Sequence, residues 1–149
     1  MAVSINFYDK FVLYFGEGGI DLDGDTFDII LMNSTHAFTQ ANTNKADIAA
    51  NEIPTNNGYT QGAEVLASVT WTESGGVATF DAADSVWTAS GGPIPSSGNC
   101  TDAVIYSETS TSPSADLLMC SIDFGQNESA GDGTNFQITY NGSGIFTIS

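Results

Sequence analysis

The chain of 149 residues contains no arginine and only two lysines, against 18 aspartates and glutamates, which gives a formal net charge of −16. Nucleic-acid-binding proteins neutralise phosphates with lysine and arginine, and this chain cannot form a basic patch for that purpose. The same shortage of cations excludes electrostatic binding to an anionic membrane surface. No run approaches the roughly 18 apolar residues of a membrane-spanning helix. We therefore expect neither nucleic acid nor a membrane as partner, which leaves proteins, neutral glycans, metal ions and neutral small molecules.

Histidine and cysteine are also scarce, with His36 as the single histidine and two cysteines in the whole chain. A catalytic triad needs a histidine beside an activated serine, yet no serine lies in the G-x-S-x-G turn of the α/β-hydrolases. A zinc site needs three or four histidine, cysteine or carboxylate ligands at recognisable spacing, and these residues do not supply them. We therefore expect no enzymatic activity, no catalytic residues and no cofactor.

The two cysteines lie on either side of a stretch of turn residues centred near Ser112, which predicts a hairpin. In that pairing residue 104 faces Cys120, and Cys100 faces residue 124. A disulfide needs two Cα atoms within about 7 Å, and this register holds the cysteines further apart. The sequence therefore predicts two free thiols.

Residues 6–15 show the longest helical periodicity in this sequence. Four aromatic side chains fall at i, i+4, i+7 and i+8 and share one face: Phe7, Phe11, Tyr14 and Phe15. Glycines directly after Phe15 end the predicted helix. Since the remaining helix surface is also largely apolar, we expect the helix to be buried, either on the chain's own sheet or on another subunit.

The rest of the chain alternates short apolar stretches with turn residues, which is typical of an antiparallel β-sandwich or barrel. One helical turn is expected near residues 45–50. The sequence predicts one mainly β domain over residues 1–149, with residues 1–19 as an N-terminal arm and helix packed on or beside it. Strands are predicted at residues 26–32, 64–72, 77–81, 85–89, 103–107, 116–124, 135–140 and 145–148.

An acidic run before the first predicted strand suggests calcium binding. Asp21, Asp23 and Asp25 match the first ligands of an EF-hand loop, but Thr26 replaces its glycine and Met32 replaces its final glutamate. An EF-hand is therefore excluded. The three aspartates remain weak candidates for another calcium site, and a solvated turn before a strand is the favoured interpretation, so we predict no metal.

Aromatic residues outside the helix offer a second possible binding surface, because aromatic faces stack on sugars. Their positions in alternating strands are more typical of a core, which is the favoured interpretation. The residues concerned are Tyr59, Trp71, Trp87, Tyr106 and Tyr140.

Several segments taken together resemble a family of small acidic proteins encoded among the structural genes of tailed bacteriophages. The resemblance covers almost the whole chain, and its most specific part is VWTASGG at residues 86–92. The segments that carry it are IDLDGDTF at 20–27, NGYT at 57–60, VTWT at 69–72, FDAADSVWTASGG at 80–92, AVIY at 103–106 and GIF at 144–146.

The resemblance implies a virion structural protein, most directly a capsid cement (decoration) protein bound to the outer surface of the assembled head. Its partner would be the major capsid protein, and it would form a homodimer or homotrimer. Residues 1–6 lack the basic and apolar segments of a signal peptide, which fits assembly in the host cytoplasm. The alternatives are a tail, neck or fibre (receptor-binding) component of the virion, and a carbohydrate- or calcium-binding β-sandwich module.

A cement protein with so few cations should attach through apolar and backbone groups, or through a partner's lysines and arginines that meet its acids. The predicted helix and the residues that lead into it, 3–15, are the first candidate contact, because the helix carries more apolar surface than a small sandwich needs; the loop 93–99 is the second. The predicted interface residues are Phe7, Phe11, Tyr14, Phe15, Pro93, Ile94 and Pro95.

Overall fold

The computed structural model describes residues 3–149 as antiparallel strands with one α-helix, which confirms the predicted mainly β fold class. Two short 3-10 helices, Lys45–Asp47 and Ala49–Asn51, form where one helical turn was predicted. The remaining elements are β1 (Ser4–Phe7), α1 (Phe11–Glu17), β2 (Phe27–Asn33), β3 (Thr70–Ser74), β4 (Val77–Asp81), β5 (Ser85–Thr88), β6 (Cys100–Ser107), β7 (Leu117–Glu128), β8 (Asn135–Ile138) and β9 (Phe146–Ile148).

The strands form three sheets, ordered β1-β7-β6-β2, β3-β4-β9 and β5-β8. The four-stranded sheet is covered on both faces, which explains why all of β2 except its last residue is buried. Phe27, Ile29 and Leu31 point into the larger core, whereas Ile30 and Met32 point into a smaller core on the opposite face. These are the two faces that the alternation in the sequence predicts.

The N-terminal prediction is wrong about where the helix begins. Residues 4–7 form β1, which pairs with β7 from Ser4–Asp123 to Phe7–Cys120, and α1 begins only at Phe11. Residues 3, 5 and 7 alternate as well as any strand, and the long β7 needs a partner on this side, so tertiary pairing overrides the helical periodicity. The Phe7 and Phe11 rings still stack, with their centroids 5.4 Å apart.

The predicted strand at 64–72 is also shorter in the structure, because β3 begins only at Thr70. Ser68 has a φ of 54°, in the left-handed region, which an extended strand cannot accommodate. Upstream of that break, Leu66 N donates to Phe27 O at 2.8 Å, so the segment attaches to the edge of β2 instead.

The hairpin of β6 and β7 keeps the predicted register near its turn and loses it further away. Ser107 faces Leu117, as a turn centred on Ser112 requires, but an irregularity beyond Tyr106 places Ile105 opposite Cys120. A second irregularity places Cys100 opposite Glu128 rather than residue 124. Both cysteines are buried and free, as predicted.

The thiols of Cys100 and Cys120 are expected to resist alkylation in the native protein. Burial raises the pKa of each to about 12 from 9.0, which lowers the thiolate fraction at pH 8 about a thousandfold. Mass spectrometry after iodoacetamide treatment should show no adduct in buffer and two adducts in guanidinium chloride. Rapid labelling of either thiol in buffer would contradict this arrangement.

An aromatic cluster joins the N-terminal elements to the three-stranded sheet. The Phe146 ring lies 5.0 Å from Phe7 and 5.7 Å from Phe11, and 5.1 Å from Phe80 on the neighbouring strand. The Phe15 ring meets Trp71 edge-on at 5.8 Å. The helix therefore packs on the chain's own sheets, the first of the two alternatives open at the sequence level.

Candidate docking surface

One of the two lysines is used inside the fold. Lys45 Nζ lies 4.0 Å from Glu52 Oε2 and 5.2 Å from the centre of the Tyr106 ring, and its side chain is only 23% exposed. Lys10, between β1 and α1, is exposed. The surface is therefore strongly anionic, and a partner bound through charge must bring its own cations.

The Glu52 carboxylate beside Lys45 has a structural task. Its Oε1 accepts hydrogen bonds from Tyr59 Oη and Gly62 N, both at 2.8 Å, and Tyr59 Oη in turn accepts from Leu31 N at 3.0 Å. Burial, and then the charge of Glu52, raise the pKa of Tyr59 above its ordinary value. This network fastens the segment 52–62 to β2 and places Tyr59 in the core.

The aromatic residues predicted as interface contacts on the helix belong to the chain's own core. Phe11 is 2% exposed and Tyr14 8%, and Phe7 and Phe15 are half-buried. The exposed apolar residues of α1 are its neighbours Val12 and Leu13, at 68% and 44%. Both lie within the segment 3–15 that the sequence offered as a contact, but the residues singled out there were the aromatic ones, because the whole segment is apolar and composition did not reveal which side faces the core.

The second predicted contact, the loop after β5, is held against the segment that follows β7. Ile94 is fully buried and exchanges two backbone hydrogen bonds with Ala130, at 2.9 and 2.8 Å. Pro95 is also buried, whereas Pro93 is exposed and its carbonyl accepts from Asn57 Nδ2 at 2.8 Å. Of the three residues predicted here, Pro93 alone is exposed to solvent.

The three aspartates considered for calcium form a self-bonded turn. Asp21 Oδ1 accepts from Asp23 N and Gly24 N, both at 3.1 Å, while Asp25 Oδ2 accepts from Ser107 Oγ at 2.6 Å and from Asp21 N at 3.1 Å. Within residues 3–149, no group of three or more histidine, cysteine or carboxylate side chains is arranged to hold a metal ion. These oxygens act as turn and strand anchors.

The aromatic residues considered for sugar stacking lie largely in the core. Trp87 is 4% exposed, and Tyr59 and Tyr106 are each 2% exposed. Trp71 and Tyr140 are half-buried and pack against the larger core. The favoured interpretation is confirmed for the three buried residues, whose faces are not open to a glycan.

The only histidine forms a buried pair that the sequence did not predict. His36 Nδ1 donates to Asp102 Oδ2 at 2.5 Å, and the same carboxylate accepts from Ser121 Oγ at 3.2 Å and Thr101 Oγ1 at 2.8 Å. The serine is bonded to the aspartate and not to the histidine, so the order of a nucleophile–histidine–aspartate relay is not present at this pair. This arrangement holds residue 36 against the face of the four-stranded sheet that carries the smaller core.

A groove of about 590 Å³ separates β8 from the edge of the four-stranded sheet. We call it the edge groove. One wall consists of Val3, Ile5 of β1 and alternate residues of β7 from Ile122 to Glu128, and the other of the consecutive residues 135–141. No local sequence pattern signals this feature, because it arises where β7 and β8 diverge after the loop that joins them.

The described part of the chain contains no helix long and apolar enough to cross a membrane. Apolar side chains that reach the surface are spread over α1, β4, β5, β9 and the segments before β1 and β3, with Val12 and Val3 the most exposed at 68% and 62%. Val3 lies on the rim of the edge groove, so that groove joins exposed apolar surface to a buried floor.

Comparison with protein-family models, with curated proteins and with solved structures finds no match to this chain.

Proposed function

We propose that this protein is a bacteriophage capsid cement protein, which binds the outer surface of the assembled head and stabilises it. The observation that carries the proposal is the charge distribution: a −16 chain uses Lys45 internally and presents acids to its surroundings. Such a surface does not compete for the packaged genome, and it can attract lysines and arginines of a shell protein. The resemblance of almost the whole chain to small acidic phage structural proteins supports the same function.

The mechanism is mass action. A protein that binds the assembled lattice, and not its free subunits, stabilises that lattice by RT ln(1 + [L]/Kd) at each site. A dimer or trimer on a symmetry axis would bind several shell subunits at once and so gain avidity. Neither step requires a reactive group, which agrees with the structural roles of Glu52, His36 and Asp102.

The burial of aromatic residues bears on the glycan-binding alternatives. A module that stacks sugars needs flat aromatic faces at its surface. Trp87 and Tyr59 instead pack against each other, with their ring centroids 6.1 Å apart, inside the larger core. The anionic surface and the exposed apolar side chains, such as Val3 and Val12, support attachment to a protein shell instead.

The copy number of the protein in purified DNA-filled heads tests the proposal. Quantitative mass spectrometry should find hundreds of copies per head, in simple ratio to the major capsid protein. Heads lacking the protein should lose DNA at lower temperature, with tails intact, and rebinding should weaken with added salt because exposed charge pairs are screened. A handful of copies per virion would instead assign the protein to a tail, neck or fibre station.

A further inference from the structure

The strand β8 has one open edge, and that edge faces the edge groove. Within residues 3–149, β8 pairs with β5 alone. Side chains of a strand alternate between its two faces, so a groove that lay against one face would be lined by every second residue of the strand. Seven consecutive residues, 135–141, line the groove, as expected where it follows the edge of the strand and not a face.

The free backbone groups of this edge follow from the pairing with β5. Ala89 N donates to Thr134 O at 2.8 Å, next to the register pairs Thr88–Asn135 and Trp87–Phe136. Hydrogen-bonded and non-bonded pairs alternate along an antiparallel ladder. The backbone groups of Phe136 therefore point to β5, and those of Gln137, one residue on, point into the groove.

The wall opposite this edge is apolar at the end formed by Val3, Ile5, Ile122 and Phe124, and polar further along β7, at Gln126 and Glu128. Ile122 is 3% exposed and Phe124 8%, and Ile5 and Val3 extend the surface toward the rim. An added strand would place every second side chain on this wall and so cover the exposed Val3 and the half-buried Ile5, beside the already buried Ile122 and Phe124. The combination of an unpaired edge and an apolar floor is the arrangement that binds peptides by strand addition.

The charge of the groove selects among possible strands. Its lining includes Glu128 and neither of the two lysines. Since the whole molecule carries −16, a second acidic chain would be repelled and a basic segment attracted. The four residues of β8 span roughly 13 Å at about 3.3 Å per residue, which is room to pair about four residues of an extended segment.

We propose that the edge groove binds an extended segment of a partner protein, apolar at alternate positions and carrying lysine or arginine, which pairs with the free edge of β8. That the partner is the capsid shell rests on the proposed function, whereas the preference for a basic extended segment does not. The other possible occupant, a second copy of this chain, is an outcome of the test below.

A titration of the full, isotopically labelled chain with a model peptide tests this site by NMR. The probe is a heptapeptide of alternating valine and threonine with a lysine at each end. The amide signals of residues 135–141 should shift. A peptide with glutamate in place of each lysine should bind at least about tenfold more weakly, and one N-methylated on the amides that face β8 should not bind. Shifts confined to other residues, no shift at millimolar peptide, or equal binding of the N-methylated peptide would overturn the site.

Two pairs of variants separate loss of the edge from loss of the fold. Gln137→Pro removes the backbone N–H that points into the groove and should abolish peptide binding, whereas Gln137→Ala keeps it and should bind normally. If the proline variant does not fold, Val3→Asn on the groove rim should weaken binding, and Val12→Asn, an equally exposed valine on α1, should not. Equal effects within a pair would contradict the proposal.

The same variants, assayed on heads, distinguish failure of this proposal from failure of the cement function. If Gln137→Pro binds heads as well as the wild-type protein does, the shell does not use the groove and the cement function stands. Peptide binding without any binding to heads would remove the cement function and keep the groove. A dimer that dissociates on Val3→Asn would identify a second copy as the occupant and overturn the proposal.

Discussion

Phe146→Ala is expected to lower the free energy of unfolding by about 3–5 kcal/mol, the range for truncating a buried phenylalanine. The Phe146 side chain lies on the short strand β9 and contacts rings from four other elements. The centroid distances are 5.0 Å to Phe7, 5.7 Å to Phe11, 5.1 Å to Phe80 and 6.4 Å to Trp71. Removal of the Phe146 ring leaves a cavity. The surrounding elements cannot move in to fill it, because their backbones are fixed by sheet pairing. Urea denaturation followed by tryptophan fluorescence measures the loss.

The matched control is Ile148→Ala, two residues further along the same strand. Ile148 is 38% exposed, so its truncation should lower the free energy of unfolding by less than about 1 kcal/mol. Equal losses at the two positions would mean that the loss does not come from the packing of Phe146 in the aromatic cluster. A domain of this size has a total stability of about 5–15 kcal/mol, so the expected loss is a large share of it.

The parts of the fold that depend on residues close together in the sequence could be predicted from it. The strand predicted at 77–81 coincides with β4, because alternation and the turn before it act within a few residues. Gly75 and Gly76 occupy that turn with φ of 61° and 84°, which glycine adopts most readily. Short hairpins of this kind need no information from distant parts of the chain.

The elements that were misplaced depend on distant partners. Whether Asn6 lies in a strand or in a helix is decided by pairing with Ser121, near the other end of the chain. The register of Cys100 was shifted by irregularities within the hairpin, which follow from how each face packs and not from the turn at Ser112. Local propensity is a weak guide where tertiary pairing decides.

The candidate site was predictable only in its chemistry. The shortage of cations indicated that contacts must be apolar or supplied by a partner, and the internal position of Lys45 strengthens that inference. The sequence did not show which side of the apolar helix faces outward, and the structure leaves Val12 and Leu13 exposed. The edge groove exists only once β7 and β8 have diverged.

Asp102→Ala is expected to lower the free energy of unfolding by about 2–4 kcal/mol, which would make it the most damaging loss of a polar side chain that we predict. Asp102 is 7% exposed and accepts hydrogen bonds from His36, Ser121 and Thr101. Alanine would leave the donors of His36 and Ser121 buried without an acceptor, and water cannot replace it at full strength. Thermal and urea unfolding measure the change.

The residue directly across the hairpin provides the control. Asp123 faces Asp102 in the register of β6 and β7, but its side chain is exposed and accepts only from the nearby Gly125 N, at 2.7 Å. Asp123→Ala removes the same charge from the same pair of strands and should change the free energy of unfolding by less than about 1 kcal/mol. Equal losses would mean that charge repulsion between the two strands, and not the buried hydrogen bonds, determines the effect.

Asp102→Asn separates the acceptor from the charge. The amide oxygen can still accept from Ser121 or Thr101, and the amide group can donate to His36 Nδ1 once the imidazole proton has moved to Nε2. We therefore expect a smaller loss than for alanine, together with a change of histidine tautomer visible in the 15N shifts of the ring. A loss as large as that of alanine, with the tautomer unchanged, would show that the carboxylate charge itself holds His36 in place. An intermediate loss with the new tautomer assigns the stabilisation to hydrogen bonding, as the geometry of the pair indicates.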